Sequence, residues 1–412
     1  MRIVVTGLIA SYPLGGVAWD YLQYVRGFAA LGHEVTYLED TGRWVYDPRA
    51  RSFTADAGPH VRYLARVLAG ARGPAAWAFR DPAGVLHGLD EVALARCVAA
   101  ADLFLNVSGA CWLRDAYRGR GVRAYLDTDP GYSQARLLAA DATDVADAAD
   151  DAGTAGGANA AAAARGARAA ADLRYAAATI RAHDVFLTLA ENLGAPGCGV
   201  PAAGLRWLPT RHPIVLDDWP ATPPPAGAPF TTVLSWRTEP TPPVLGGRPY
   251  GGKDVQLRRI LDLPRRATAP LELAVAGAAP RDALRAAGWR VVDAHDVSAT
   301  PEAYRDYLAR SRGELGVAKE VYVATASGWL SSRTASYLAL GRPAIVEDTG
   351  IAANLPVGEG LLVFRDTEEA AAALETVTAD WPRHARAART LAAEAFDAGR
   401  ILQGLLDSVD TA

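Results

Sequence analysis

The sequence predicts an α/β chain in two halves, each a largely parallel sheet flanked by helices. Three observations predict it. Its 412 residues exceed what one ordinary core organises and suit two domains. Short β-branched runs alternate with stretches of helical spacing in both halves, which is the pattern of βαβ units. Between the two series, Pro209, Pro213, Pro220 and Pro223 to Pro225 form a stiff linker. The expected domains are therefore 1–215 and 228–395, followed by a last helical segment, 396–412.

Composition narrows the function classes. Half the residues are hydrophobic, enough for a full core. A net charge of -4 with no basic run speaks against a nucleic-acid partner. No apolar run reaches the roughly 18 residues of a membrane helix. The opening MRIVVTGLIA is short and soon meets Pro13, Gly15 and Gly16, so it reads as a first strand and not as a signal peptide. Cys97, Cys111 and Cys198 are odd in number and lack metal-type spacing; free thiols in a reducing cytoplasm are expected.

In the first half, residues 2–6 form a strand, 17–31 an amphipathic helix ended by Gly32, and 34–38 the next strand. The glycines of the first loop lack the spacing of a dinucleotide-binding fingerprint. Gly15 and Gly16, at the helix start, are placed to offer backbone N–H groups to a ligand, or are plain turn chemistry. Residues 39–53, dense in aromatic and charged side chains, are expected to be irregular: a pocket wall, or a loop packed on itself. Helices follow over 60–69 and 90–100. Strand 102–107 runs into Asn106, Ser108 and Gly109, and strand 123–126 into Asp127-Thr128-Asp129. From 138 to 171 the composition collapses to Ala, Asp and Gly, and a mobile insertion is expected there. Helix 173–181 and strands 184–189 and 205–208 close the half.

The second half starts with strand 231–236, a polar loop to Gly252, and a helix over 253–261. Strands 271–276 and 289–292 alternate with helices 281–287 and 301–310. The densest stretch runs from 313 to 364. Strand 315–318 leads through a loop to Trp329; Ser327, Gly328, Ser331 and Ser332 crowd the start of a helix that stops at Gly341. Strand 344–346 then ends in the turn Asp348-Thr349-Gly350. Ligands in such sheets sit at the carboxyl ends of the strands. Free N–H groups at Ser331 and Ser332 would suit a phosphate, and Arg333, one turn in, adds a forked charge. Helices over 368–376 and 383–406 complete the chain.

The run ALGRPAIVEDTG, fed by that loop and helix, resembles the donor-nucleotide segment of GT-B glycosyltransferases of the family 1 and 4 type. The resemblance is close over about fifty residues, and the two-domain layout extends it loosely over most of the chain. It implies a GT-B-like fold, two Rossmann-like domains facing a central cleft, with acceptor binding in the first and the donor in the second. It also implies transfer of a sugar from a nucleotide-diphospho donor, UDP among the candidates, to a small natural-product or cell-envelope acceptor. No metal or other cofactor is then needed, and the last helix crosses back to the first domain. Two Glu positions common in that superfamily are Ser336 and Gly328 here. They leave open a nucleotide-sugar epimerase of the same fold, or a non-catalytic partner that binds nucleotide sugars.

On this reading Arg237, Lys253 and Arg333 face the diphosphate. Of 42 cationic residues only Lys253 and Lys319 are lysine, which suggests that a compact ammonium is wanted at both places. Lys319 would reach the phosphates or the sugar. Trp329 stacks on the base or simply packs. Ser327, Gly328, Ser331, Ser332, Asp348, Thr349 and Gly350 complete the donor side. Gly15, Gly16, Asn106, Ser108, Asp127 and Asp129 are the acceptor side, with Asp127 or Asp129 as acceptor ligand or general base. The same Asp-x-Asp could instead hold a divalent ion, or cap the next turn. For Arg237 and Arg333 the alternative is an ordinary ion pair. The chain has no elbow-type catalytic serine, no H-E-x-x-H and no P-loop.

Overall fold

The computed structural model describes residues 1–70, 73–150, 160–237 and 242–411. Among the described residues the first half contains ten strands: β1 (Arg2–Thr6), β2 (Glu34–Glu39), β3 (Val45–Asp47), β4 (Ser52–Thr54), β5 (Ala76–Arg80), β6 (Leu86–Gly88), β7 (Leu103–Val107), β8 (Val122–Asp127), β9 (Val185–Thr188) and β10 (Trp207–Pro209). Eight of them make one sheet in the order β10-β9-β8-β7-β1-β2-β5-β6. Every pairing in it is parallel except β5 with β6. Burial on both faces explains the uninterrupted apolar runs of β1 and β7.

The second half adds β11 (Phe230–Ser235), β12 (Val244–Leu245), β13 (Arg248–Pro249), β14 (Leu271–Ala276), β15 (Arg290–Asp293), β16 (Gly313–Gly316), β17 (Ala344–Glu347) and β18 (Leu361–Phe364). Six of these form an all-parallel sheet in the order β15-β14-β11-β16-β17-β18. In both sheets the strand order reverses beside the first strand, between β1 and β7 and between β11 and β16. That reversal opens a crevice at the carboxyl ends of the strands, and it is a Rossmann-like feature. The expected two-body α/β architecture is what the chain adopts.

Several local expectations change. Residues 39–53 are not wholly irregular: β3 and β4 pair as a hairpin. That hairpin reaches the second half, where Tyr46 Oη meets His295 Nε2 at 2.9 Å and Arg51 pairs with Asp293 at 2.6 Å. The loop after β16 contains the short helix Glu320–Ala324. The helix expected over 383–406 is two, Trp381–Ala395 and Ala398–Asp410, because Asp397 caps a new start. In the Ala-rich stretch, the helix Tyr132–Asp150 and the helix Ala160–Arg181 cover the flanks, while the glycine-rich centre, 151–159, lies outside the described residues.

The helix Ala398–Asp410 packs on the first helix, Gly15–Ala30: a Cβ on Gly27 would lie 2.4 Å from Leu402 Cδ1. Trp19 and Trp219 meet at 4.8 Å between ring centroids in the same core, so one apolar cluster runs through both halves. Among the described residues no helix is long and apolar enough to cross a membrane.

Candidate active site between the two sheets

The two crevices face each other, and the side chains at their edges meet directly. Asp129, two residues past β8, bonds Lys319 Nζ at 2.6 Å and accepts the hydroxyl of Tyr322. Lys319 and Tyr322 are three residues apart, so the short helix Glu320–Ala324 presents both on one side. The ammonium also sits over the Tyr132 ring, 4.3 Å from its centroid. Trp329 stacks on Tyr322 at 4.3 Å and donates Nε1–H to the Thr128 carbonyl at 3.1 Å. Ser332, at the start of the helix Ser332–Ala339, donates to Asp20 Oδ1 at 2.5 Å.

Cations gather on the second sheet's side of the cleft. Arg333 is buried; its Nε bonds Glu314 Oε1 at 2.6 Å and its Nη1 the Val233 carbonyl at 2.9 Å. Lys253 starts the helix Lys253–Arg259 and donates no hydrogen bond among the described residues. Burial, reinforced by the charges of Arg333 and Lys319, brings its pKa down to about 7. The Asp129 and Glu314 charges oppose that shift without cancelling it.

Acids face these cations from the first half. Burial raises Asp20 to about 6, although Ser332 and Arg333 pull the other way. Burial would likewise raise Asp129, but the Lys319 charge and hydrogen bond outweigh it and leave the carboxyl at about 2. One cavity is walled by Asp20, His212, Tyr304, Ser332 and Arg333. Burial lowers the His212 imidazole to about 4, so it is neutral at physiological pH. A second cavity lies at the ends of β16 and β17, against Ala318, Trp329, Ser331, Glu347 and Thr349, and Arg333 borders both. Glu347 accepts from Ala318 N at 3.1 Å, and burial raises it to about 7.

No protein-family model matches the chain, and no curated protein matches it. Solved structures do. Anabaena HepE in complex with UDP matches over 100% of both chains, with a TM-score of 0.52 and 12% identity. HepE with UDP and glucose gives 0.52 and 11%, and HepE with UDP-glucose 0.50 and 11%, again over both whole chains. The fold is GT-B. At this identity the likeness is one of architecture, and it sets the cleft just described between the two bodies of a GT-B chain.

Within that GT-B cleft, the expected site residues divide. Trp329, Ser331, Ser332, Arg333 and Thr349 line its cavities, Lys319 and Asp129 bond to each other across it, and Lys253 feels the charges of both. Ser108 sits at the carboxyl edge of β7 with a left-handed φ of 60°, and its Oγ accepts from Thr128 at 2.8 Å. Others are engaged elsewhere. The N–H groups of Gly15 and Gly16 both go to Ser298, on its carbonyl at 2.6 Å and its Oγ at 3.1 Å, so they join the halves and are not free for a ligand. Asn106 is fully buried, its amide shared among Thr6, Cys111 and His183.

Asp127 is buried too. Ser133, Gln134 and Thr188 donate to it at 2.8, 3.0 and 3.2 Å, which makes it an anchor for the turn rather than a proton acceptor for a substrate. Arg237 turns to Asp254 at 2.8 Å with its side chain 71% exposed, an ordinary ion pair. Ser327 is buried and bonds locally to Tyr322 and Trp329. Gly328 and Gly350 pack against Asn192, which donates to the Ala326 and Gly350 carbonyls. Asp348 accepts from Gly350 N at 2.8 Å. The Asp127 and Asp129 carboxylates thus serve different partners, and among the described residues no three His, Cys, Asp or Glu side chains are grouped to hold a metal ion.

Sequence reasoning missed Asp20, His212, Tyr322 and Asn192. Asp20 did carry a signal. It stands in the largely apolar run AWDYLQYV, with Gly16, Val17, Gln23 and Tyr24 at helical spacing and no cation to pair it. An acid left without a partner on a buried helix face points across to another element.

Proposed function

We propose that the chain is a glycosyltransferase that moves a sugar from a nucleotide-diphospho donor to a hydroxyl of a small-molecule acceptor. One observation supports the reading most: Arg333 borders both cavities of the cleft, Lys319 reaches across it to Asp129, and Lys253, which donates no hydrogen bond among the described residues, feels the charges of both cations. Three cations facing a cleft suit a diphosphate. When the bond from the anomeric carbon to the diphosphate breaks, the leaving oxygen gains negative charge. Fixed cations then stabilise the transition state more than the ground state, and no metal ion is required for that step. The HepE complexes contain UDP and UDP-glucose, which makes uridine the first base to try here. Cys97, Cys111 and Cys198 are all free thiols, which fits the cytoplasm, where we place the protein.

Thermal unfolding with UDP, GDP, TDP, CDP and ADP in the presence of EDTA tests this. A ligand at a hundred times its Kd stabilises by roughly 2.7 kcal/mol, a readable shift. We expect a shift with one or two of the five and slow hydrolysis of the matching sugar nucleotide. No shift with any, or a shift only with Mg²⁺, would defeat the reading. Donor isomerisation would favour an epimerase, and binding without turnover a partner protein.

A further inference from the structure

Asp129 is held in an unusual way for a carboxylate at a substrate cleft. Its side chain is 49% exposed, yet one oxygen, Oδ1, takes both the Lys319 ammonium and the Tyr322 hydroxyl. Both donors come from the opposite half of the molecule, about 190 residues further along the chain. Lys253 has its ionisation affected by Arg333, Lys319 and Asp129, so Asp129 is the acid that meets this cation group from the first half. Its neighbour Thr128 is also tied across the cleft, through its carbonyl to Trp329 Nε1 at 3.1 Å. The loop after β8 therefore reaches over and places one negative charge among cations suited to two phosphates.

We propose that Asp129 is an internal stand-in for a donor phosphate, and that diphosphate binding takes Lys319 from it and frees it as the base for the acceptor hydroxyl. This rests on the transferase reading. Lys319 keeps an anionic partner: it leaves one carboxylate oxygen for a phosphate oxygen, and the carboxylate turns to the cleft. In the transfer that follows, the acceptor O–H bond breaks and its proton passes to an Asp129 oxygen. The acceptor oxygen bonds the anomeric carbon, and the carbon–phosphate-oxygen bond breaks with its electron pair leaving on the diphosphate. While Lys319 holds it, Asp129 is too weak a base for this step; without the Lys319 charge and hydrogen bond it becomes a stronger one. Donor binding thus precedes acceptor activation, because the same ion pair cannot serve both.

The test measures inorganic pyrophosphate binding by calorimetry in EDTA, which is independent of the nucleotide base. It also measures hydrolysis of UDP-, GDP-, TDP-, CDP- and ADP-glucose. Removing the competing charge with Asp129→Asn should tighten pyrophosphate about fivefold or more, while hydrolysis of the donor the wild type uses falls at least tenfold. Tyr322→Phe loosens the same carboxylate but keeps it, so it should tighten pyrophosphate while cutting hydrolysis less than Asp129→Asn does, and it guards against a folding defect in the first variant. Wild type that binds pyrophosphate while both variants bind it equally or more weakly overturns the stand-in and leaves the transferase reading in place. Unchanged hydrolysis in Asp129→Asn overturns the base role. A wild type that binds no pyrophosphate, or hydrolyses none of the five, overturns the transferase reading and this inference with it.

Discussion

Ser332 Oγ donates to Asp20 Oδ1 at 2.5 Å, joining the first helix of one half to the helix Ser332–Ala339 of the other. The bond turns an acid on a helix face into part of the cleft. It also makes the acid's ionisation a report on whether the cleft is closed.

Burial lifts Asp20 to about 6 from its ordinary 3.8. The native carboxyl therefore binds a proton more readily than the unfolded one, and native stability falls as pH rises from about 4 to about 6. Asp20→Asn keeps an acceptor for Ser332 and removes the titration. Its Tm relative to wild type should climb between pH 4 and 6 and level off above. Parallel Tm curves for the two proteins would show that the carboxyl is not buried in solution.

Lys253→Met replaces an ammonium that donates no hydrogen bond among the described residues by a side chain of similar length. Burial and neighbouring cations bring the native lysine to about 7, against 10.5 when unfolded. The native amine thus loses its proton first, and wild-type stability rises with pH between about 7 and 10.5. The methionine variant should be the more stable below pH 7, with the advantage shrinking towards pH 10. Its kcat/KM should fall more than tenfold. Near-wild-type turnover would remove Lys253 from the diphosphate site.

At Gly15 a Cβ would lie 2.1 Å from the Thr300 carbonyl oxygen, whereas at Gly16 it would lie 3.1 Å from the Tyr304 ring. Backbone yields less than a ring does. Gly15→Ala should destabilise by about 1–3 kcal/mol and open the cleft, raising the radius of gyration in X-ray scattering. Gly16→Ala should do much less. Equal effects in the two variants would place the close approach elsewhere.

What could be read from sequence followed the range of the interaction that decides it. Strands 2–6 and 271–276 and helix 301–310 agree with the structure residue for residue, since β-branched runs and caps act locally. The β5–β6 hairpin and the strand Leu361–Phe364 escaped, their short runs lying between longer periodic segments. The cleft was foreseen in outline because a loop, a helix start and a small-Gly-x-Pro turn are contiguous. Its partners were not. Asp129 with Lys319 and Gly15 with Ser298 each join residues nearly two hundred or more positions apart, which no local pattern encodes. Asn106 and Arg237 show the converse: a polar side chain at a strand end looks functional until nearby groups consume it.

The chain crosses between its halves twice, once through the proline-rich linker and once before the last helix. The two crossings are bonded to each other, Ile214 N to the Phe396 carbonyl at 2.7 Å and Ala398 N to the Ile214 carbonyl at 2.9 Å. The two crossings are thereby fastened to each other at one place. Leu402 covers the Gly27 surface of helix Gly15–Ala30, so the core of the first half is completed by residues that follow the second half in the chain.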